Sequence, residues 1–429
     1  MTSGALNLED ALVALGRPGE FPEKPRLSPG PLLGALRRAG TEHLYADTAS
    51  RDELADLVRQ EDGSLRAEID GNTLNQPLMR KVLEQELDRI DLASWAEAIR
   101  PQARAKDPEA LAPLLYTALS GNVANRIAAA FAAGRSWEVS LQLHMDLVTA
   151  PDRARAMGRL LRRMAPTAFV KVPFAPHAPA CFLVARDLER EGVPVNFTST
   201  FSARQAVAAA LLADVTRTNV FMGRLDQGLE SERVGAHVVL EAQRALRDLR
   251  QRRGLKTRLI VASMREWQSF VRTAGCDCYT APCSVIQDLV DQEEMGPEEI
   301  TSQLETSYED RLGIPDALLE RLGRDRIARL WRVEPELVGF LSEYRGTREY
   351  AELRDGDTLA RRLEQSGFGD LLHTPDEAGW KQIHRGKIPD PDESLVQVVA
   401  LDTLYSLHAD ADFASHQTAM DREVVRRLR

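Results

Sequence analysis

Residues 168–200 read AFVKVPFAPHAPACFLVARDLEREGVPVNFTST, and this stretch decides the fold. Ala168–Phe174 and Pro194–Thr200 are short runs of β-formers. Between them, Ala178–Glu191 sets Ala180, Leu183, Val184 and Leu188 at helical spacing, and Gly192-Val193-Pro194 stops the helix. Strand, helix, strand is a βαβ unit. The rhythm runs outward in both directions. Before it lie His43–Thr48, Ala67–Thr73 and Glu138–Leu143; after it lie Thr216–Gly223, Lys256–Ser263 and Cys276–Pro282. Eight candidate strands with helical crossovers predict an α/β fold, a closed (β/α)₈ TIM barrel. An open doubly wound sheet is the rival. It would carry a Gly-rich phosphate turn after its first strand, and none is present.

The barrel is expected over 41–290, with a helical insert at about 79–135 in the second crossover. Residues 1–40 read as an N-terminal extension of two short helices joined by the Pro/Gly-rich segment Gly16–Pro31. Residues 291–429 read as extra C-terminal helices packing on the barrel, rich in Arg, Glu and Leu, with charged faces turned to solvent.

With 429 residues and 43% hydrophobic composition, the chain can bury one large core plus a helical appendage. A net charge of −10 repels phosphate backbones, so no nucleic-acid partner is expected. No stretch approaches the ~20 apolar residues of a membrane helix, and Met1–Glu20 does not read as a signal peptide. Of the four cysteines, Cys276, Cys278 and Cys283 crowd one segment without C-x-x-C spacing. They read as core residues of a cytoplasmic protein rather than as disulfides or metal ligands. His144 and Asp146 follow the third strand, where a rim histidine is a better reading than a metal ligand. No metal and no cofactor are expected.

The chemistry rests on a misplaced charge. The chain has seven lysines, and six lie in polar or Pro/Gly-flanked contexts. Lys171 alone interrupts an apolar strand, Phe169-Val170-Lys171-Val172-Pro173-Phe174. Alternation places it opposite Val170 and Val172, which in a barrel means the lumen. Burial there lowers an ammonium pKa and makes the amine a nucleophile for carbonyls. A buried Lys–Asp ion pair or a strand-end lysine reaching solvent is the structural alternative. The other strand ends favour the nucleophile. They carry Asp47, Asn75, Gln142, a period-two row of Asn196, Thr198 and Thr200, Asn219, Arg224, Ser263 and Arg265. Barrel sites form at this rim. Asp47 is the candidate acid/base. Asn75, Asn196 and Asn219 suit sugar hydroxyls, while Arg224, Arg265 and Ser263 suit a phosphate.

On these motifs the sequence resembles the transaldolase family, including its smaller fructose-6-phosphate-aldolase-like members. FVKVPF resembles the strand bearing the Schiff-base lysine, which implies that role for Lys171. YADTA resembles the first-strand segment that carries Asp47. NFTSTFSARQAVAAA resembles the segment that carries Asn196 and Thr198. NVFMGRL supplies Phe221 and Arg224, IVASMRE supplies Ser263 and Arg265, and AGCDCYTAP resembles the last strand. The resemblance implies transfer of a dihydroxyacetone unit between sugar phosphates, in carbohydrate metabolism of the pentose phosphate kind. Three departures bear on substrate. The turn Thr73-Leu74-Asn75-Gln76-Pro77 is altered, Gln142 stands where transaldolases have glutamate, and Asn219 replaces a serine. The water-handling set so implied is Asp47, Gln142 and Thr198. Gln142 motivates a second reading, an aldolase that releases free dihydroxyacetone or acts on a specialised sugar. A non-catalytic barrel kept for binding is a third reading, against which Lys171 and Asp47 argue. The insert and the segment from roughly 300 to 400 are left to shape an acceptor pocket or to join copies in a homo-oligomer.

Overall fold

The computed structural model describes residues 8–16, 26–86, 90–103, 107–132 and 135–429. Two of the seven lysines, Lys24 and Lys106, and parts of the Gly16–Pro31 and 79–135 segments lie outside them. Eight strands close a parallel barrel: β1 (His43–Asp47), β2 (Ile69–Thr73), β3 (Glu138–Gln142), β4 (Ala168–Pro173), β5 (Val195–Thr198), β6 (Arg217–Phe221), β7 (Arg258–Ala262) and β8 (Cys278–Ala281). They pair in chain order, and β8 closes on β1. Every strand expected from the sequence is present, each shorter by one to three residues, at its start in β2 and at its rim end in β1, β3 and β4. Ser199 and Ser263, directly after β5 and one residue beyond β7, take left-handed backbone (φ 65° each). That bend ends β5 at Thr198, so Thr200 leaves the row of Asn196 and Thr198, and its hydroxyl bonds the Asn219 carbonyl instead.

Alternation sorts the strands into two faces. Val139, Leu141, Val170, Val172, Val195, Phe197, Val220, Leu259 and Val261 pack outward on the helices. Inside, Tyr45, Ile260 and Cys278 form a separate small cluster, and the Arg217 guanidinium stacks on Phe169 at 3.9 Å and pairs with Glu138 at 2.9 Å. The four cysteines are free, as expected. Gly71 is required where β2 meets β3, because a Cβ there would lie 1.9 Å from the Glu138 carbonyl oxygen. The crossover in the deciding stretch is Ala180–Arg190, closed by Gly192 at φ 78°. The next crossover, Ala203–Ala213, is capped by Ser202, whose hydroxyl accepts the Gln205 N–H at 3.1 Å.

Between β2 and β3 the chain forms Gln76–Glu86, Leu92–Ala103 and Pro108–Phe131. Leu27–Ser28 pairs in parallel with Leu65–Arg66, a short ladder that the sequence reading missed. Beyond the barrel no further strand occurs among the described residues. The chain ends in a helix, Leu401–Leu428, that crosses the C-terminal mouth of the barrel. Along it Asp402 meets Ser202 and Arg204, Tyr405 stacks on Phe201, Asp412 pairs with Arg224, and Asp421 meets His144. The expectation of solvated charged faces fails here. Asp402 and Asp410 are 2% exposed, because the helix lies against the rim rather than on the barrel's outer surface.

Candidate active site

The strand register assembles the lumen around Lys171. Gln142 stands beside Lys171, and Lys171 beside Asn196, across β3, β4 and β5. Lys171 is 3% exposed, and its Nζ donates to the Leu74 carbonyl at 3.1 Å. The altered turn after β2 thus supplies the ammonium's hydrogen-bond acceptor. Burial holds the Lys171 pKa below the usual lysine value, and the Asp47 carboxylate acts in the opposite direction. Asp47 accepts the Thr73 hydroxyl at 2.6 Å, and Thr73 Oγ1 lies 2.7 Å from Thr280 Oγ1. Thr280 belongs to the site floor and was not singled out from sequence, since a threonine in a strand is ordinary.

These facts give a direction for pH. Formation of the neutral amine at Lys171 should inflect below the ordinary lysine range. Asp47→Asn removes the charge that favours the ammonium, so the inflection should move to lower pH. The rate of borohydride trapping with dihydroxyacetone, followed against pH, measures both. An unmoved inflection in Asp47→Asn would separate the two groups.

The amides form a second cluster. Asn219 Nδ2 donates to Thr198 Oγ1 at 2.9 Å and to Asn196 Oδ1 at 3.4 Å, and Asn196 Nδ2 donates to Ser140 Oγ at 3.2 Å. Gln142 Nε2 reaches the Met145 sulfur at 3.5 Å, and its Oε1 is buried without a partner. Asn219 Oδ1 is also unpartnered. Buried acceptors of this kind are rare in folded proteins and suit a hydroxyl-bearing ligand. Asn75 sits apart from the cluster, where its Oδ1 caps the Gln76–Glu86 helix by accepting the Leu78 N–H at 3.1 Å. Phe221 walls the site, edge to face with Phe201 and Phe413.

Arg224, Ser263 and Arg265 converge because Gly223 lets two turns touch; a Cβ there would lie 2.0 Å from the Ser263 carbonyl oxygen. Arg224 is already engaged, however. It pairs with Asp412 at 2.8 Å and donates to the Lys387 carbonyl at 3.1 Å. Arg265 has no carboxylate partner among the described residues, and burial with the nearby Arg224 charge lowers its pKa. The Ser263 hydroxyl is buried and unpartnered. An anion therefore finds Ser263 and Arg265 open, and must displace Asp412 to use Arg224.

His144, Asp146 and Asp421 lie within 4.8 Å of one another. The His144 Nδ1 accepts the Asp146 N–H at 3.2 Å, which leaves Nε2 to donate to Asp421 at 3.2 Å. Both ring nitrogens thus have protein partners, and the histidine ties the terminal helix to the rim. No helix among the described residues is long and apolar enough to cross a membrane.

The family model described as transaldolase/fructose-6-phosphate aldolase matches residues 44–326. The chain belongs to that family. Proteins described as probable transaldolases resemble it at modest identity. That of Rhodospirillum centenum is 36% identical over 135 residues, 31% of this chain and 54% of the relative. That of Leptospira biflexa is 33% identical over 134 residues, 31% and 58% of the two chains. That of Dictyostelium discoideum is 26% identical over 174 residues, 39% and 51%. The chain spans about half the length of these curated relatives. The description of the matching model joins transaldolases and fructose-6-phosphate aldolases in one family. The match ends at residue 326, so the terminal helix and most of the strand-free segment before it lie outside the family match.

Proposed function

We propose that the protein transfers a dihydroxyacetone unit between sugar phosphates through a Schiff base on Lys171. The observation that carries this reading is the buried Lys171 amine in the lumen, with depressed pKa, held by one carbonyl and close to Asp47. Nζ adds to the ketose carbonyl, and water leaves as the imine forms. Asp47 removes the proton of the hydroxyl on the far carbon of the bond to be cut, and that carbon becomes the aldehyde of the departing sugar. That bond breaks, its electron pair moves into the protonated imine, and an aldose phosphate departs. The remaining enamine adds to the aldehyde of a second aldose phosphate, and hydrolysis frees the product and the amine. Gln142 and Thr198 would hold the hydrolytic water beside Asp47. Asn75, Asn196 and Asn219 would bind hydroxyls, Phe221 would wall the pocket, and Arg265, Ser263 and a released Arg224 would bind phosphate. A cytoplasmic setting fits such substrates.

Gln142 supports a second reading, release of free dihydroxyacetone. A carboxamide cannot take a proton from water as a carboxylate can. With fructose 6-phosphate alone, strict transfer predicts no free triose; adding erythrose 4-phosphate should yield a seven-carbon ketose phosphate. Triose accumulating without acceptor would decide for the aldolase.

A further inference from the structure

The terminal helix, the segment before it and the loops after β3 and β4 line an open cavity of about 330 Å³, with Met145, His177, Trp380, His384 and Asp410 in its wall. It lies over the ends of β3 and β4. Met145, in its wall, is the residue that Gln142 touches from the lumen. The wall is apolar apart from a few polar atoms. Nδ1 of His177 is buried without a hydrogen bond, and the buried carboxyl of Asp410 has only the neighbouring Ser199 hydroxyl facing it. Burial drives the Asp410 carboxyl well above its usual pKa, toward the neutral acid, while the Ser199 hydroxyl acts the other way. Orphaned polar atoms are rare, and one that shares a cavity with so sparsely partnered a carboxyl marks a place that a ligand completes. Trp380 gives the cavity an aromatic wall, with His177 edge-on to it at 5.2 Å.

We propose that this cavity is a binding subsite for an uncharged polyhydroxylated chain, whose hydroxyls bond Asp410, Ser199 and His177 and whose C–H face lies on Trp380. A phosphate does not fit, because the cavity wall holds the buried Asp410 carboxyl and no Lys or Arg, and burial lowers the pKa of His177. The phosphate-suited groups, Arg265 and Ser263, lie on the far side of the barrel after β7. The subsite deepens the Schiff-base reading and rests on it for one point only, that the bound chain belongs to the carbonyl substrate. A neutral acid that is both donor and acceptor suits a hydroxyl, which needs both.

The test titrates the full chain with D-glucitol, which has no carbonyl and cannot form an imine, and with 1-amino-1-deoxy-D-glucitol. Calorimetry reads binding to the wild type, Asp410→Leu and Trp380→Ala. Borohydride trapping with dihydroxyacetone runs in parallel. The expected result is saturable glucitol binding, weakened at least ten-fold in each variant, with dihydroxyacetone trapping within two-fold of wild type. Absent glucitol binding, unchanged affinity in the variants, or preference for the amine would overturn the proposal. If Asp410→Leu does not fold, Trp380→Ala decides, since its side chain is only half-buried. Glucitol binding without any dihydroxyacetone adduct would remove the imine reading and leave the subsite standing.

Discussion

Lys171→Ala is expected to lower turnover of any ketose phosphate by at least ~10⁴-fold, while the protein stays folded. The size follows from losing covalent catalysis as a whole: Lys171 is the one buried lysine among the described residues, so the electron sink of the lumen is lost with its amine. Among the described residues the side chain's one hydrogen bond is to Leu74, and alanine leaves that carbonyl in a lumen already lined with polar groups. A steady-state assay with fructose 6-phosphate and erythrose 4-phosphate measures the loss, and circular dichroism checks the fold. Activity retained within ten-fold would mean that the chemistry runs elsewhere.

The second large effect is on stability. Asp402→Ala should destabilise the protein by roughly 3–5 kcal/mol, as expected when one partner of a buried ion pair is removed. Asp402 accepts from Arg204 Nε at 2.8 Å and Nη2 at 2.7 Å, and from the Ser202 hydroxyl at 2.6 Å. Those charged hydrogen bonds hold its pKa below the ordinary carboxylate value, against burial. Arg204 keeps a second partner, Asp370, at 2.9 Å, so the residual cation is not wholly uncompensated and the lower half of the range is the more apt. Because this carboxylate's folded pKa is depressed, its contribution is present above the unfolded pKa and fades as pH falls through the folded one. Urea unfolding followed by fluorescence and by circular dichroism reads the change at neutral pH. The same substitution should loosen the start of the helix that carries Asp410 and Asp412 across the mouth. A shift under 1 kcal/mol would show that the pair is dispensable.

The barrel was legible in the sequence because its strands are apolar runs at regular spacing, and the lumen lysine stood out because a charge in FVKVPF has no cheap solvated explanation. Asp47, Gln142, Asn196, Thr198 and Asn219 were legible because strand ends converge by topology. The strand ends themselves were read too long, since a serine carries no sign that its backbone will turn left-handed at 199 and 263. The roof was not legible. Asp402, Asp410 and Asp412 sit in LDTLYSLHADADFASHQ, where acids among alanines look like a solvated face. Only the return of this helix to the mouth buries them, and nothing local in the sequence announces that return. The same distance hid the pairing of Arg224 with Asp412, so a residue with a phosphate-binding pattern proves to be held by a carboxylate. Asn75 kept a polar position at the rim yet spends its oxygen on a helix cap, a role its residue type predicts equally well.

The central claim is that the Lys171 amine forms an imine with a ketose, and borohydride reduction tests it most directly. The protein is incubated with fructose 6-phosphate or dihydroxyacetone, reduced with sodium borohydride, digested and mapped by peptide mass. A stable adduct is predicted on Lys171 in the peptide bearing AFVKVPF, absent in Lys171→Ala and absent without ketose. No adduct with either ketose, or an adduct on another lysine alone, would contradict the account.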